Sequence, residues 1–309
     1  MKKLARILIT SIACIAMAGL SACQVAGASV PENNQKTIVV TYSILGSVVK
    51  ELVGDQANVV VSMPNGQDPH EWEPSAKDIE TLTHANLIVQ NGLNLEGGMQ
   101  KALAQAKDAG VKFFTASDYI TIRIVGTGEG IPSGDPDQSV GAQDPHLWTD
   151  PVDMKQIVDA LAQTLQSELG LDVSANAAVL DAKLVSLNQE ITAQVNTLPA
   201  GSRKLVTGHE SLGYFAQRYG FKLVGAIVPS LDTQAEASAS DMSTLTKLIE
   251  ENQVKAIFTE LGTPANVSES IGKETGVKVI VLTTHALPAN GNYFDFMHNL
   301  AQTIVDGLK

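Results

Sequence analysis

Two pentapeptides built on one frame, Asp68-Pro69-His70-Glu71-Trp72 and Asp144-Pro145-His146-Leu147-Trp148, contain both tryptophans of the 309-residue chain. The frame suits an imidazole that must be held still. Its proline fixes the backbone ahead of the histidine, its aspartate can accept the second ring N–H, and its tryptophan can wall the ring from water. A fixed, neutral imidazole with one nitrogen free is a ligand for a transition-metal ion. Of the six histidines, His209 and His285 follow predicted strands, as His70 does, and His146 follows the loop after one. These positions lie beyond the carboxyl ends of parallel strands, where open α/β sheets gather ligand groups. His84 and His298 fall within predicted helices with no turn residues around them and are read as structural.

The pairs His70/His146 and His209/His285 are both separated by 76 residues, so two lobes would hold them at matching depth and a cleft between lobes would join all four. Four imidazoles can close a tetrahedral Zn²⁺ site with Zn–N bonds of about 2.0–2.1 Å. Glu71 and Glu210, which adjoin His70 and His209, and Glu260, just past the end of a predicted strand, could hydrogen-bond these histidines or replace a missing ligand. Because each imidazole must lose its proton to ligate, affinity is expected to fall steeply below about pH 6.5.

Catalytic alternatives find less support. His70-Glu71 and His209-Glu210 both begin the His-Glu-x-x-His pattern of zinc hydrolases, but Pro74 and Gly213 occupy the position of the second histidine. No Gly-x-Ser-x-Gly is present, and Gly126-Thr127-Gly128 lacks the third glycine of a dinucleotide turn. A zinc hydrolase would need an open coordination position and turnover; a surface adhesin would bind no metal.

The elements that must position these residues can be read in chain order. Lys2, Lys3 and Arg6 precede an apolar run that ends in Leu20-Ser21-Ala22-Cys23. This is a secretory signal too short to span a bilayer, and its end looks like a lipobox in which Cys23 is acylated. The domains expected are a lipoprotein signal peptide (1–22), a lipid-anchored tether (23–35), an N-terminal α/β lobe (36–172), a connecting helix (173–198) and a C-terminal α/β lobe (199–309). Cys14 leaves with the signal, so Cys23 stands alone and no internal disulfide can form. Removing three of the 21 cations leaves 18 against 33 acids, a net charge of −15, which repels nucleic acid and suits cations.

Within the lobes, β-branched runs at 37–42 and 57–63 and short runs at 87–90 and 111–115 alternate with helical periodicity. The same plan returns at 204–207, 222–228, 256–259 and 277–283, predicting α/β lobes of parallel strands covered by helices. Residues 126–144 read as a surface loop. Val173, Ala177, Leu180, Leu184, Leu187, Ile191, Val195 and Leu198, spaced by three and four, predict one long amphipathic helix.

The lipobox, DPHEWEPS, DPHLWTDP, the connecting helix and VTGHESLGYFAQRYGF together resemble the solute-binding lipoproteins of ABC importers for zinc and manganese, over the whole mature chain. The resemblance implies two (β/α) lobes with four-stranded sheets, joined by a rigid helix and holding one divalent ion between them. It implies an extracytoplasmic receptor, a monomer anchored to the outer face of the cytoplasmic membrane, that delivers its ion to a permease and ATPase. It matches His70 and His146 to the family's first two ligands and His209 to a third that is histidine or glutamate; Glu260 matches an acidic residue that is usually not a ligand. At the fourth ligand, usually an aspartate, the chain has Thr283-Thr284-His285-Ala286-Leu287. His285, Asp295, Glu210 or water then completes the set. Four imidazoles favour Zn²⁺, with Mn²⁺ the alternative.

Overall fold

The computed structural model describes residues 35–130 and 140–309. The signal segment, Cys23, the tether up to residue 34 and residues 131–139 of the glycine-rich loop lie outside the described residues. No helix among those described is long and apolar enough to cross a membrane.

The chain forms two α/β lobes. β1 (Thr37–Val40), α1 (Ser43–Val53), β2 (Asn58–Val61), α2 (Ala76–Thr83), β3 (Leu87–Gln90), α3 (Gln100–Asp108) and β4 (Lys112–Thr115) build the first. α4 (Pro151–Thr164) and α5 (Ser174–Val195) follow. β5 (Lys204–Thr207), α6 (Gly213–Tyr219), β6 (Lys222–Ala226), α7 (Ala239–Glu251), β7 (Ala256–Thr259), α8 (Ala265–Thr275), β8 (Lys278–Val281) and α9 (Tyr293–Leu308) build the second. Each lobe holds a four-stranded parallel sheet, ordered β2-β1-β3-β4 and β6-β5-β7-β8. In both sheets the strand order reverses between the first and third strands, β1 and β3 or β5 and β7, opening a crevice at their carboxyl ends. Of the predicted run 37–42, β1 covers Thr37–Val40; Thr41 still bonds Val89 O and Met63 N through its backbone, Tyr42 turns the chain into α1, and their hydroxyls bond Glu96 and Asn91.

Local signals set the helix starts. Ser75 and Ser238 form capping boxes with Asp78 and Asp241, and Asp150 caps α4 ahead of Pro151 at its first turn. α5 spans 22 residues, about 33 Å at 1.5 Å per residue. All eight apolar positions of its predicted stripe are buried, including Val173 and Leu198 just beyond its ends.

One apolar cluster runs from the first sheet (Ile38, Leu87) through α1 (Leu45) and the α4–α5 pair (Leu161, Leu184) to the second sheet (Leu205, Phe258) and α9 (Ile304). Smaller clusters lie under α2–α3 and under α7–α8. Both lobes therefore rest on one core with α5 as its seam. Leu184→Ala, which empties a position 1% exposed, is expected to lower stability by about 2–5 kcal/mol. Val179→Ala on the open face of the same helix, 57% exposed, should stay within about 0.5 kcal/mol. Denaturant unfolding of both variants checks this, and equal losses would contradict the buried seam.

Candidate metal centre

His70, His146, His209 and His285 meet where the two crevices face each other. One ring nitrogen of each lies within 4.8 Å of the others, and all four residues are at most 3% exposed. His146 Nε2 sits 3.3 Å from His70 Nε2 and 3.2 Å from His209 Nε2. Tetrahedral zinc with Zn–N bonds near 2.05 Å requires N···N separations of about 3.3–3.4 Å, so these two spacings already suit one shared ion.

Carboxylates on the far side of three of the rings indicate which nitrogen faces inward. Asp144 Oδ1 lies 2.8 Å from His146 Nδ1 and also accepts the His146 amide at 2.9 Å. An ionised Asp144 can only accept, so the proton resides on Nδ1 and the Nε2 lone pair points into the cluster. Arg123 Nη1 donates to the other Asp144 oxygen at 3.0 Å, and Tyr214 Oη donates to the Asp144 carbonyl at 3.2 Å.

In the second lobe one carboxylate orients two rings. Glu260 Oε1 is 3.1 Å from His209 Nδ1 and accepts the His209 amide. Its Oε2 accepts from Thr284 Oγ1, whose oxygen lies 2.8 Å from His285 Nδ1, so a Glu260–Thr284–His285 chain also places the His285 proton on Nδ1. The inward Nε2 of His285 is buried with no hydrogen-bond partner among the described residues. Gly208 permits this crowding: a Cβ there would lie 2.7 Å from Glu260 Cγ and 2.0 Å from Thr263 Oγ1.

The electrostatics follow. Burial, then His209, lowers His70 to about 4; burial, then His209, also lowers His146 and His285. Burial is the largest single influence on His209 and lowers it, but Glu260, Asp68 and Glu210 together outweigh it and raise the net value. Burial raises Glu260, yet His209 and the surrounding donors bring it down to about 2. These shifts favour the charged form of His209, beside Glu260, and the neutral form of the other three rings.

The two Asp-Pro-His frames, alike in sequence, differ in space. Trp148 is fully buried, with ring centroids 5.3 Å from His146 and 5.4 Å from His285, and its Nε1 donates to the Thr284 carbonyl. Trp72 instead packs half-buried against the apolar clusters, and Asp68 Oδ1 accepts the His70 amide rather than its ring N–H. Of the acids expected near the site, Glu260 lies against His209 and reaches His285 through Thr284. Glu210 is buried and raised to about 7 by that burial, whereas Glu71 is exposed. Asp295 is engaged in the capping box of α9 with Asn292, which removes it as a fourth ligand. His84 is exposed with Nδ1 against Glu80 O, and His298 faces Glu190 on the surface, both apart from the cluster. Sequence reasoning missed Arg123 and Thr284. Arg123, a cation between Ile122 and Ile124 in an acidic chain, carried a signal; Thr284 carried none.

The chain is similar to known proteins along most of its length. The chain is 27% identical over 322 residues to the manganese ABC transporter substrate-binding lipoprotein PsaA of Streptococcus pneumoniae, covering 100% of both. It is 27% identical over 271 residues to the iron ABC transporter substrate-binding lipoprotein MtsA of Streptococcus pyogenes serotype M1, covering 84% of this chain and 83% of the relative. The periplasmic zinc binding protein TroA of Treponema pallidum superposes with a TM-score of 0.75 at 26% identity, covering 89% of this chain and 99% of that one. The model of the family described as zinc-uptake complex component A, periplasmic (ZnuA), matches residues 38–307, and the chain belongs to that family.

Proposed function

We propose that this protein captures Zn²⁺ outside the cytoplasmic membrane through His70, His146, His209 and His285, and hands it to an ABC permease driven by a cytoplasmic ATPase. The observation that carries this reading is the convergence of four buried imidazole nitrogens within 4.8 Å. The relatives are named for manganese, iron and zinc, so the ion must be argued from the donors. Four neutral nitrogens suit zinc, whereas manganese prefers carboxylate and water. Four protein donors also leave a tetrahedral ion no open position for a reacting water, which favours carriage over hydrolysis. Manganese is the second reading, favoured by the name of the Streptococcus pneumoniae relative.

Competitive zinc and manganese titration tests the assignment. Zinc at about 1,000 times its Kd should stabilise the fold by about 4 kcal/mol. His285→Ala should weaken both metals, and His285→Asp, by adding a hard oxygen donor, should narrow the preference for zinc. His84→Ala and His298→Ala should change neither. Wild-type zinc affinity in His285→Ala would remove His285 from the site.

The pKa shifts moderate the pH dependence expected from four unperturbed histidines. Only His209 is raised, so only it must shed a proton as metal binds near neutrality; His70, at about 4, and the lowered His146 and His285 are already neutral. Affinity should therefore fall by about tenfold per pH unit below the His209 pKa, at most about a hundredfold between pH 7.5 and 5.5, and more steeply only toward pH 4. A loss of about 10⁴-fold over that interval would contradict the assignment of one competing proton.

Anchoring through Cys23 gives a separate test. Cys23→Ala is expected to free the protein from membranes while zinc binding is unchanged, read by fractionation and titration; a variant still held in the membrane fraction would contradict the anchor.

A further inference from the structure

We propose that the loop Asn91–Gly98, which follows β3, sets the separation of His70 and His146, with Asn91 and Glu96 as positioning residues for metal capture. This rests on the capture reading above and concerns residues that touch neither metal nor ligand ring. The loop grips both ligand segments of the first lobe through their backbone carbonyls. Gly98 N donates to His70 O at 3.1 Å, and Asn91 Nδ2 donates to Pro145 O at 2.9 Å. The first contact is close enough to require glycine: a Cβ at Gly97 would lie 2.7 Å from His70 O, and one at Gly98 would lie 2.4 Å from Trp72 O.

The grip depends on a buried carboxylate. Glu96, 4% exposed, accepts from Asn91 N at 2.6 Å, Gly92 N at 3.3 Å and Thr41 Oγ1 at 2.8 Å. Asn91 is aimed by Tyr42 Oη, which donates to its Oδ1 at 3.0 Å. Between these anchors Leu93 and Asn94 hold φ of 56° and 61°, a left-handed path that a leucine takes only where its surroundings fix it. Thr41 and Tyr42 follow β1, and Asn91 follows β3, so the network spans the reversal point of the first sheet. Neither His70 O nor Pro145 O belongs to a sheet ladder or helix. The Asn91 amide and the Gly98 N–H thus tie the two ligand segments to one loop, and the 3.3 Å spacing of their Nε2 atoms follows from it.

The test uses the soluble mature chain, with zinc and Co²⁺ as probes, and compares Asn91→Ala, Glu96→Gln and the wild type. Both variants should raise the zinc Kd by about 10–100-fold, the usual effect of losing a group that orients ligands. They should also alter the visible absorption of bound Co²⁺, which reports ligand geometry. Leu245→Ala, a buried core change under α7, should lower Tm but leave the Co²⁺ spectrum and zinc Kd as in the wild type. If Glu96→Gln does not fold, Asn91→Ala decides alone. Wild-type Kd and Co²⁺ spectrum in Asn91→Ala would overturn the inference while the capture reading stands. A wild type that binds neither metal would overturn both.

Discussion

Four imidazoles turn one nitrogen each toward a single buried point, and a cation placed there turns their crowding into bonding. The rest of the fold can be understood as the means of keeping them there. Three of the rings are oriented by carboxylates: Asp144 bonds His146, and Glu260 sits beside His209 and reaches His285 through Thr284. These two buried carboxylates also supply the negative charge that a divalent cation needs once water is excluded, since an uncompensated ion in a low-dielectric interior is strongly disfavoured. Arg123 offsets part of the charge of Asp144, so Glu260 is the acid that most favours the cation.

The apolar core explains how groups from two lobes keep so tight a register. Because a single cluster passes from one sheet through α4 and α5 into the other, the lobes share their packing. Polar ties cross the same boundary beside the site. Trp148 Nε1 reaches Thr284 O, Tyr293 Oη reaches Trp148 O, and the Asn65 side chain pairs with both the N–H and the carbonyl of Leu287. Gln234 Nε2 donates to His70 O from the second lobe. A site held this way arrives at the metal already ordered, so less binding free energy is lost to assembling it.

Much of this was legible in the sequence, for physical reasons. The seam helix followed from eight apolar residues at helical spacing, and the four clustered histidines are singled out by their Asp-Pro frames or their places after strands. What the sequence concealed depends on side chains meeting across long separations. Nothing local distinguishes Asp68 from Asp144, yet only the second holds its histidine's ring. Glu96 reads as an ordinary helical acid but is buried beneath the ligand loops, because its backbone enters a 3₁₀ turn before α3 and its carboxylate reaches back to Asn91. Thr284 lies beside a ligand without any pattern to mark it. The regular part of β1 is shorter than its β-branched run: Thr41 keeps backbone bonds to both neighbouring strands while its hydroxyl serves Glu96, and Tyr42 turns the chain into α1.

The central claim is that one ion is held by four imidazoles and nothing else. Zinc K-edge X-ray absorption of the purified, zinc-loaded protein tests it most directly. The account predicts a single shell of four nitrogen donors at about 2.0–2.1 Å with the outer-shell scattering of four imidazole rings. A shell of five or six donors, or fewer than four imidazoles with oxygen in their place, would contradict it.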